Sequence, residues 1–62
     1  MAFADTLAEV EQAIDEMIAQ ADHAKSGERG YKSAHKRMRK ASSALSKLLP
    51  QLRKDSIEAE RE

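Results

Sequence analysis

Apolar residues recur along this chain at intervals that alternate four and three, first over one segment and then over a second. Phe3, Leu7, Val10, Ile14, Met17, Ala21 and Ala24 make the first series, and Ala13 and Ile18 widen it from a stripe into a face. At about 100° per residue such positions share one side of an α-helix. The series predicts a first helix over about 5–26. Thr6 and Glu9 have the spacing of a capping box, in which each side chain reaches the other residue's backbone amide. Asp5 is an equally acceptable cap. The segment Gly27-Glu28-Arg29-Gly30 then stops the helix, since glycine closes a last turn in the left-handed conformation without a steric penalty. Lys25, just before it, suits the negative end of the helix dipole.

The second series runs Tyr31, Ala34, Met38, Ala41, Leu45, Leu48 and Leu52, with Leu49 on its flank. It predicts a second helix over about 31–59. Pro50 conflicts with it locally. A proline inside a helix removes the bond to the carbonyl of Ser46 and crowds that carbonyl, at a cost of about 3 kcal/mol. The apolar phase also slips beyond it, because Ile57 does not continue the stripe. Two readings follow: one helix kinked at Pro50, which is preferred, or a helix ending near Lys47 followed by a short one from Pro50.

A four-residue connection favours an antiparallel hairpin, so the fold class expected is all-α within a single domain. Each apolar face is wider than the seam between two helices. A lone hairpin of 62 residues leaves Leu, Ile and Met side chains wet, and pairing two hairpins into a four-helix bundle covers them. A homodimer is therefore expected, with Leu7, Val10, Ile14, Met17, Ile18, Met38, Leu45, Leu48, Leu49 and Leu52 forming the core and the dimer contact. One Phe, one Tyr and no Trp leave that core aliphatic, which suits helices better than sheets.

The net charge of zero conceals a segregation. Residues 1–27 carry six acids against one base, 28–54 nine bases against one acid, and 55–62 four acids against Arg61. The first helix is thus acidic and the second basic. No run approaches the roughly 20 apolar residues of a membrane span. Acids at both ends also disfavour docking of the basic helix on anionic lipid. Cysteine is absent, which removes disulfides and thiolate metal sites. Met1 to Leu7 lacks the pattern of a secretory signal, so a cytoplasmic location is expected.

Candidate chemistry is sparse. His23 and His35 are too far apart for a helical metal motif, and the loop between the glycines lacks the phosphate-cradling pattern of a nucleotide-binding loop. Ser42, Ser43 and Ser46 have no base positioned by sequence. Met17 and Met38 lie on the apolar stripes as filler. The expectation is no enzyme, no cofactor, no metal and no small-molecule substrate. The basic block differs. Lys32, Lys36, Arg37, Arg39 and Lys40 fall within nine positions, and with Arg29 they offer cations to several phosphates of a nucleic-acid backbone. Lys47, Arg53 and Lys54 are secondary candidates. Without aromatic residues among them, stacking on single strands is disfavoured, and contacts to the phosphates of double-stranded DNA are one reading of the block. The same block also fits a solvated face, or one that pairs with an acidic helix in a scaffold without nucleic acid. Spacing alone leaves these readings level.

From Glu28 to Glu60 the chain resembles the bacterial linker-histone-like family, the histone H-one-like proteins of chlamydial type. The resemblance runs through Glu28-Arg29-Gly30, Lys32, Ser33-Ala34, Arg37-x-Arg39, Lys40-Ala41-Ser42, Leu45-x-Lys47-Leu48 and Arg53-Lys54-Asp55-Ser56-Ile57-Glu58-Ala59-Glu60. Each element is common, whereas the ordered series without a gap is specific. Pro50 and Tyr31 depart from the family pattern. The resemblance implies a DNA-binding, DNA-compacting protein of the bacterial nucleoid with a self-associating helical module. It is to the short members, which lack the Lys-rich tail of the longer ones.

Overall fold

A computed structural model describes residues 2–61, and they form two α-helices, α1 over Ala2–Ser26 and α2 over Tyr31–Arg61. The helices pack antiparallel as a hairpin measuring 49 × 14 × 12 Å. The register is marked at three levels. Thr6 meets Asp55 at the open end, Gln20 meets Arg37 further along, and His23 meets the carbonyl of Arg29 at the turn.

The turn is built by its two glycines and by side chains that reach the backbone. Gly27 and Gly30 have φ of 69° and 89°, which side-chain-bearing residues rarely adopt. The Ser26 hydroxyl donates to the His23 carbonyl at 2.6 Å and accepts from the Glu28 amide at 3.2 Å. His23 Nε2 lies 2.9 Å from the Arg29 carbonyl, and because a carbonyl only accepts, that nitrogen carries the proton. The Gly30 carbonyl then takes the first bond of α2, from the Ala34 amide at 3.0 Å.

Helix α1 starts earlier than the capping pattern suggests. Ala2 and Ala4 are strong helix formers and Phe3 extends the apolar stripe, so the helix is already formed where Thr6 enters it. Thr6 therefore does not cap. Its hydroxyl points across the hairpin, and Glu9 is an exposed residue of the groove beside the seam. Helix α2 is continuous through Pro50, so the alternative of a break near Lys47 does not hold. Pro50 is exposed, which leaves its ring and the unbonded Ser46 carbonyl on the solvent side.

Small residues occupy the seam. Val10, Ala24, Ala34 and Ala41 are buried, and Ala34 is wholly inaccessible. Along α2 the contact positions repeat at strict seven-residue steps: Ala34, Ala41, Leu48 and Asp55 in one row, Met38, Leu45, Leu52 and Ala59 in the other. That period is the one by which two helices keep a constant seam. The slip of apolar phase after Pro50 thus reflects a polar residue in the row, since Asp55 holds the seam position and Ile57 is 45% exposed. Of the larger residues expected inside, Ile14, Met17, Met38, Leu45, Leu48 and Leu52 are half-buried beside the alanines. Leu7, Ile18 and Leu49 are exposed, because two helices bury only the residues along one line of contact.

Candidate nucleic-acid interface

The side of α2 opposite its alanine seam carries the cations. Lys32, Lys36, Arg39, Lys47 and Lys54 fall roughly 150–220° from the Ala34–Ala41 line at 100° per residue, and each is exposed. They form a ridge directed away from α1. From Lys32 to Lys54 the ridge extends roughly 33 Å at 1.5 Å per residue, comparable with one turn of a duplex. Ser43 and Ser46 stand exposed among these cations as further hydrogen-bond donors.

The remaining candidates sit elsewhere. Arg29 is in the turn, exposed, with its carbonyl held by His23. Arg53 is exposed toward the flank that carries Leu49. Arg37 and Lys40 line a groove on the opposite flank, together with Glu9 and Glu16 of α1. Gln20 joins two of these lining residues, one acidic and one basic. Its amide nitrogen donates to Glu16 at 3.1 Å, and its amide oxygen accepts from Arg37 Nε at 3.0 Å. The bond that draws Arg37 toward α1 thus ends on a neutral amide, and the ridge lies on the far side of α2 from the acids of α1.

Those acids form the complementary feature. Asp5, Glu9, Glu11, Asp15, Glu16 and Asp22 are all exposed on α1, so the rod has one acidic long edge and one basic long edge. Sequence reasoning missed the residues that hold this arrangement in register. Thr6 donates to Asp55 Oδ2 at 2.5 Å, and Asp55 Oδ1 accepts from Gln51 at 2.8 Å. Neither Thr6 nor Asp55 belongs to an apolar series, and Asp55 entered only as one letter of the family pattern. Among the described residues no cluster of His, Cys, Asp and Glu is placed to hold a metal ion, and no helix is long and apolar enough to cross a membrane.

A basic ridge on an Ala-packed hairpin is matched by a likeness in sequence: the family model described as "Histone H1-like protein Hc1" matches residues 4–62. The chain belongs to this histone H1-like family. The match takes in the acidic first helix as well as the basic second one, so the family pattern covers the whole hairpin. No curated protein and no solved structure matches the chain. Membership implies, in general terms, a DNA-binding structural protein associated with the nucleoid.

Proposed function

We propose that the protein binds double-stranded DNA through phosphate contacts from the outer ridge of α2, without reading sequence, and compacts DNA as a homodimer in the bacterial nucleoid. The observation that carries this reading is the direction of the ridge. Lys32, Lys36, Arg39, Lys47 and Lys54 are exposed on the side of α2 turned from the acidic helix. Lys40 and Arg37 extend it over one flank, while Arg29 and Arg53 lie at its margins. Cations spread along one ridge of a helix reach backbone phosphates, and contacts of that kind draw their affinity from counterion release and are indifferent to sequence. Titration of a short duplex at several salt concentrations tests this. Five phosphates neutralised per protomer give a log–log slope of about −4 to −5. Affinity indifferent to salt, or no binding at low salt, overturns the reading.

A second reading has its own support in the apolar side chains left exposed, Leu7, Ile18, Tyr31 and Leu49. They suit a helical scaffold whose basic edge pairs with an acidic helix and meets no nucleic acid. Replacing Lys36, Arg37 and Lys40 by Gln separates the two. A dimer that stays intact and stops shifting DNA supports DNA binding, and a dimer that falls apart supports the scaffold.

A further inference from the structure

We infer that Tyr31 is a base-stacking side chain, and that the turn end of the hairpin takes a DNA base lying outside the helical stack. This role rests on the phosphate contacts proposed above and deepens them. It names the form of DNA preferred, a duplex interrupted by an unpaired nucleotide.

Spacing counts Tyr31 into the apolar stripe of α2, yet on the hairpin it is 38% exposed. The Gln20–Arg37 contact sets Tyr31 level with Ser26, the last residue of α1, so no further turn of that helix lies beside the ring. Tyr31 also stands apart from the exposed Leu49, which is about 27 Å further along α2 at 1.5 Å per residue. Its backbone is fixed. The Tyr31 amide donates to the Glu28 carbonyl at 2.9 Å, and the carbonyl of Gly30, just before it, accepts from Ala34 at 3.0 Å. The ring meets His35 one turn on, edge to face, with centroids 6.3 Å apart and planes at 76°. That contact orients the ring without laying one ring flat on the other. An exposed tyrosine on a fixed backbone loses little freedom on stacking, since only two side-chain torsions have to be held.

Cations gather at the same end. Tyr31, His35 and Arg39 follow at four-residue steps from the apolar side round to the ridge, and Lys32 adjoins Tyr31. Arg29 precedes Tyr31 in the turn, and Lys25, in phase with Leu7, brings a cation of α1 to the same side. Each of these cations is exposed. Two acids stand against them, Glu28 in the turn and Asp22 at the outer margin of α1, and α2 holds no acid before Asp55. An exposed ring among cations in excess combines what a surface for unpaired nucleotides needs, charge for the backbone and a π-face for the base.

An intact duplex keeps its bases stacked and offers the ring only backbone, so there Tyr31 adds nothing to the phosphate contacts of the ridge. An unpaired nucleotide costs little to turn outward. With its flanking phosphates on Lys32 and Arg39, about 10 Å apart along α2, its base lies on the Tyr31 ring. Every base has a π-face, so the preference is for a form of DNA and not for a sequence.

Tyr31 is the one tyrosine and tryptophan is absent, so tyrosine emission reports this side chain alone. The protein is titrated with an intact duplex, with the same duplex carrying an unpaired adenosine, and with that duplex lacking only the unpaired base. The duplex with the unpaired base is expected to bind about tenfold more tightly than the other two and to quench Tyr31 emission most. Tyr31→Phe is expected to keep the preference. Tyr31→Ala is expected to lose it while leaving the affinity for intact duplex and its salt slope unchanged. Equal affinity for the three DNAs, or a preference that survives Tyr31→Ala, overturns the stacking role and leaves the phosphate contacts standing. Equally tight binding when the unpaired base is missing assigns the preference to DNA flexibility and also overturns stacking. No binding to any of the three at low salt overturns the DNA reading, and the role of Tyr31 falls with it.

Discussion

The hydroxyl of Thr6 donates to the carboxylate of Asp55 at 2.5 Å, joining positions 49 residues apart in a chain whose other seam residues are almost all aliphatic. Both residues are buried, at 7% and 6% exposure, and the second carboxylate oxygen is occupied by Gln51. The four-residue turn sets the register of the two helices at one end of the rod, whereas the aliphatic seam by itself specifies little at the open end. The polar pair specifies that end, because any other level leaves the Thr6 hydroxyl and one Asp55 oxygen buried without a partner.

Thr6→Val is expected to destabilise the hairpin by about 1–3 kcal/mol, the penalty of leaving a buried polar group with a partner removed. Replacing both residues, Thr6→Val with Asp55→Leu, is expected to recover most of that loss while weakening register specificity. Urea unfolding measures the first effect. Broadened or doubled amide resonances at the open end in the double variant measure the second. A double variant as unstable as Thr6→Val alone contradicts this account.

Ala34→Leu is expected to lower stability by about 1–3 kcal/mol, because its site between the helices has no accessible surface and a larger side chain must push them apart. Ile57→Ala, at an exposed position, is expected to change stability by no more than about 0.5 kcal/mol. Thermal melts of the two variants under one set of conditions give the comparison.

Gly30→Ala is expected to cost more than Gly27→Ala. Both have positive φ, worth about 1 kcal/mol to a residue with a side chain. A methyl at Gly30 also comes within 3.4 Å of the His23 ring, whereas one at Gly27 meets open space. The added crowding bears on the bond from His23 to the Arg29 carbonyl, so the His23 ring resonances are expected to shift in the Gly30 variant only.

Pro50→Ala is expected to raise the melting temperature. The helix already runs through this position, so alanine restores an amide donor to the Ser46 carbonyl without altering the fold. The gain is expected at about 1–3 kcal/mol, below the full proline penalty because the position is solvated. An unchanged or lowered melting temperature contradicts the assignment of Pro50 as a tolerated local defect.

Replacing Lys36, Lys47 and Lys54 together by Gln is expected to reduce the salt slope of duplex binding by about 0.9 for each phosphate that is no longer neutralised. Stability is expected to stay within about 0.5 kcal/mol, since all three are exposed on the ridge. A slope equal to that of the unaltered protein moves the DNA-binding surface away from these three lysines of the α2 ridge.

Much of this architecture is readable along the chain. The alternating three–four spacing of apolar residues marks both helices, and Gly27 and Gly30 mark the turn, because these signals are local and short-range sterics enforce them. The separation of acid from base is equally plain, and the ordered series from Glu28 to Glu60 carries the family. Less is readable of what fills the seam. Apolar pattern assigns Leu7, Ile18 and Leu49 to the core and dimer contact without dividing the two; on the hairpin they are exposed, and Ala34 and Ala41, modest in any hydropathy ranking, are buried in the seam.

The sequence by itself determined that two amphipathic helices of opposite charge fold back on one another, since periodicity, glycine placement and charge order are properties of neighbouring residues. Only the tertiary structure decided which side chains the second helix covers. Thr6 ceased to be a cap and became the partner of Asp55, Arg37 was drawn to Gln20, and the lysine ridge was left facing outward. The physical reason is that burial depends on the line along which two rods touch. That line is set jointly by small residues on both helices and by one long-range hydrogen bond, which no local pattern encodes.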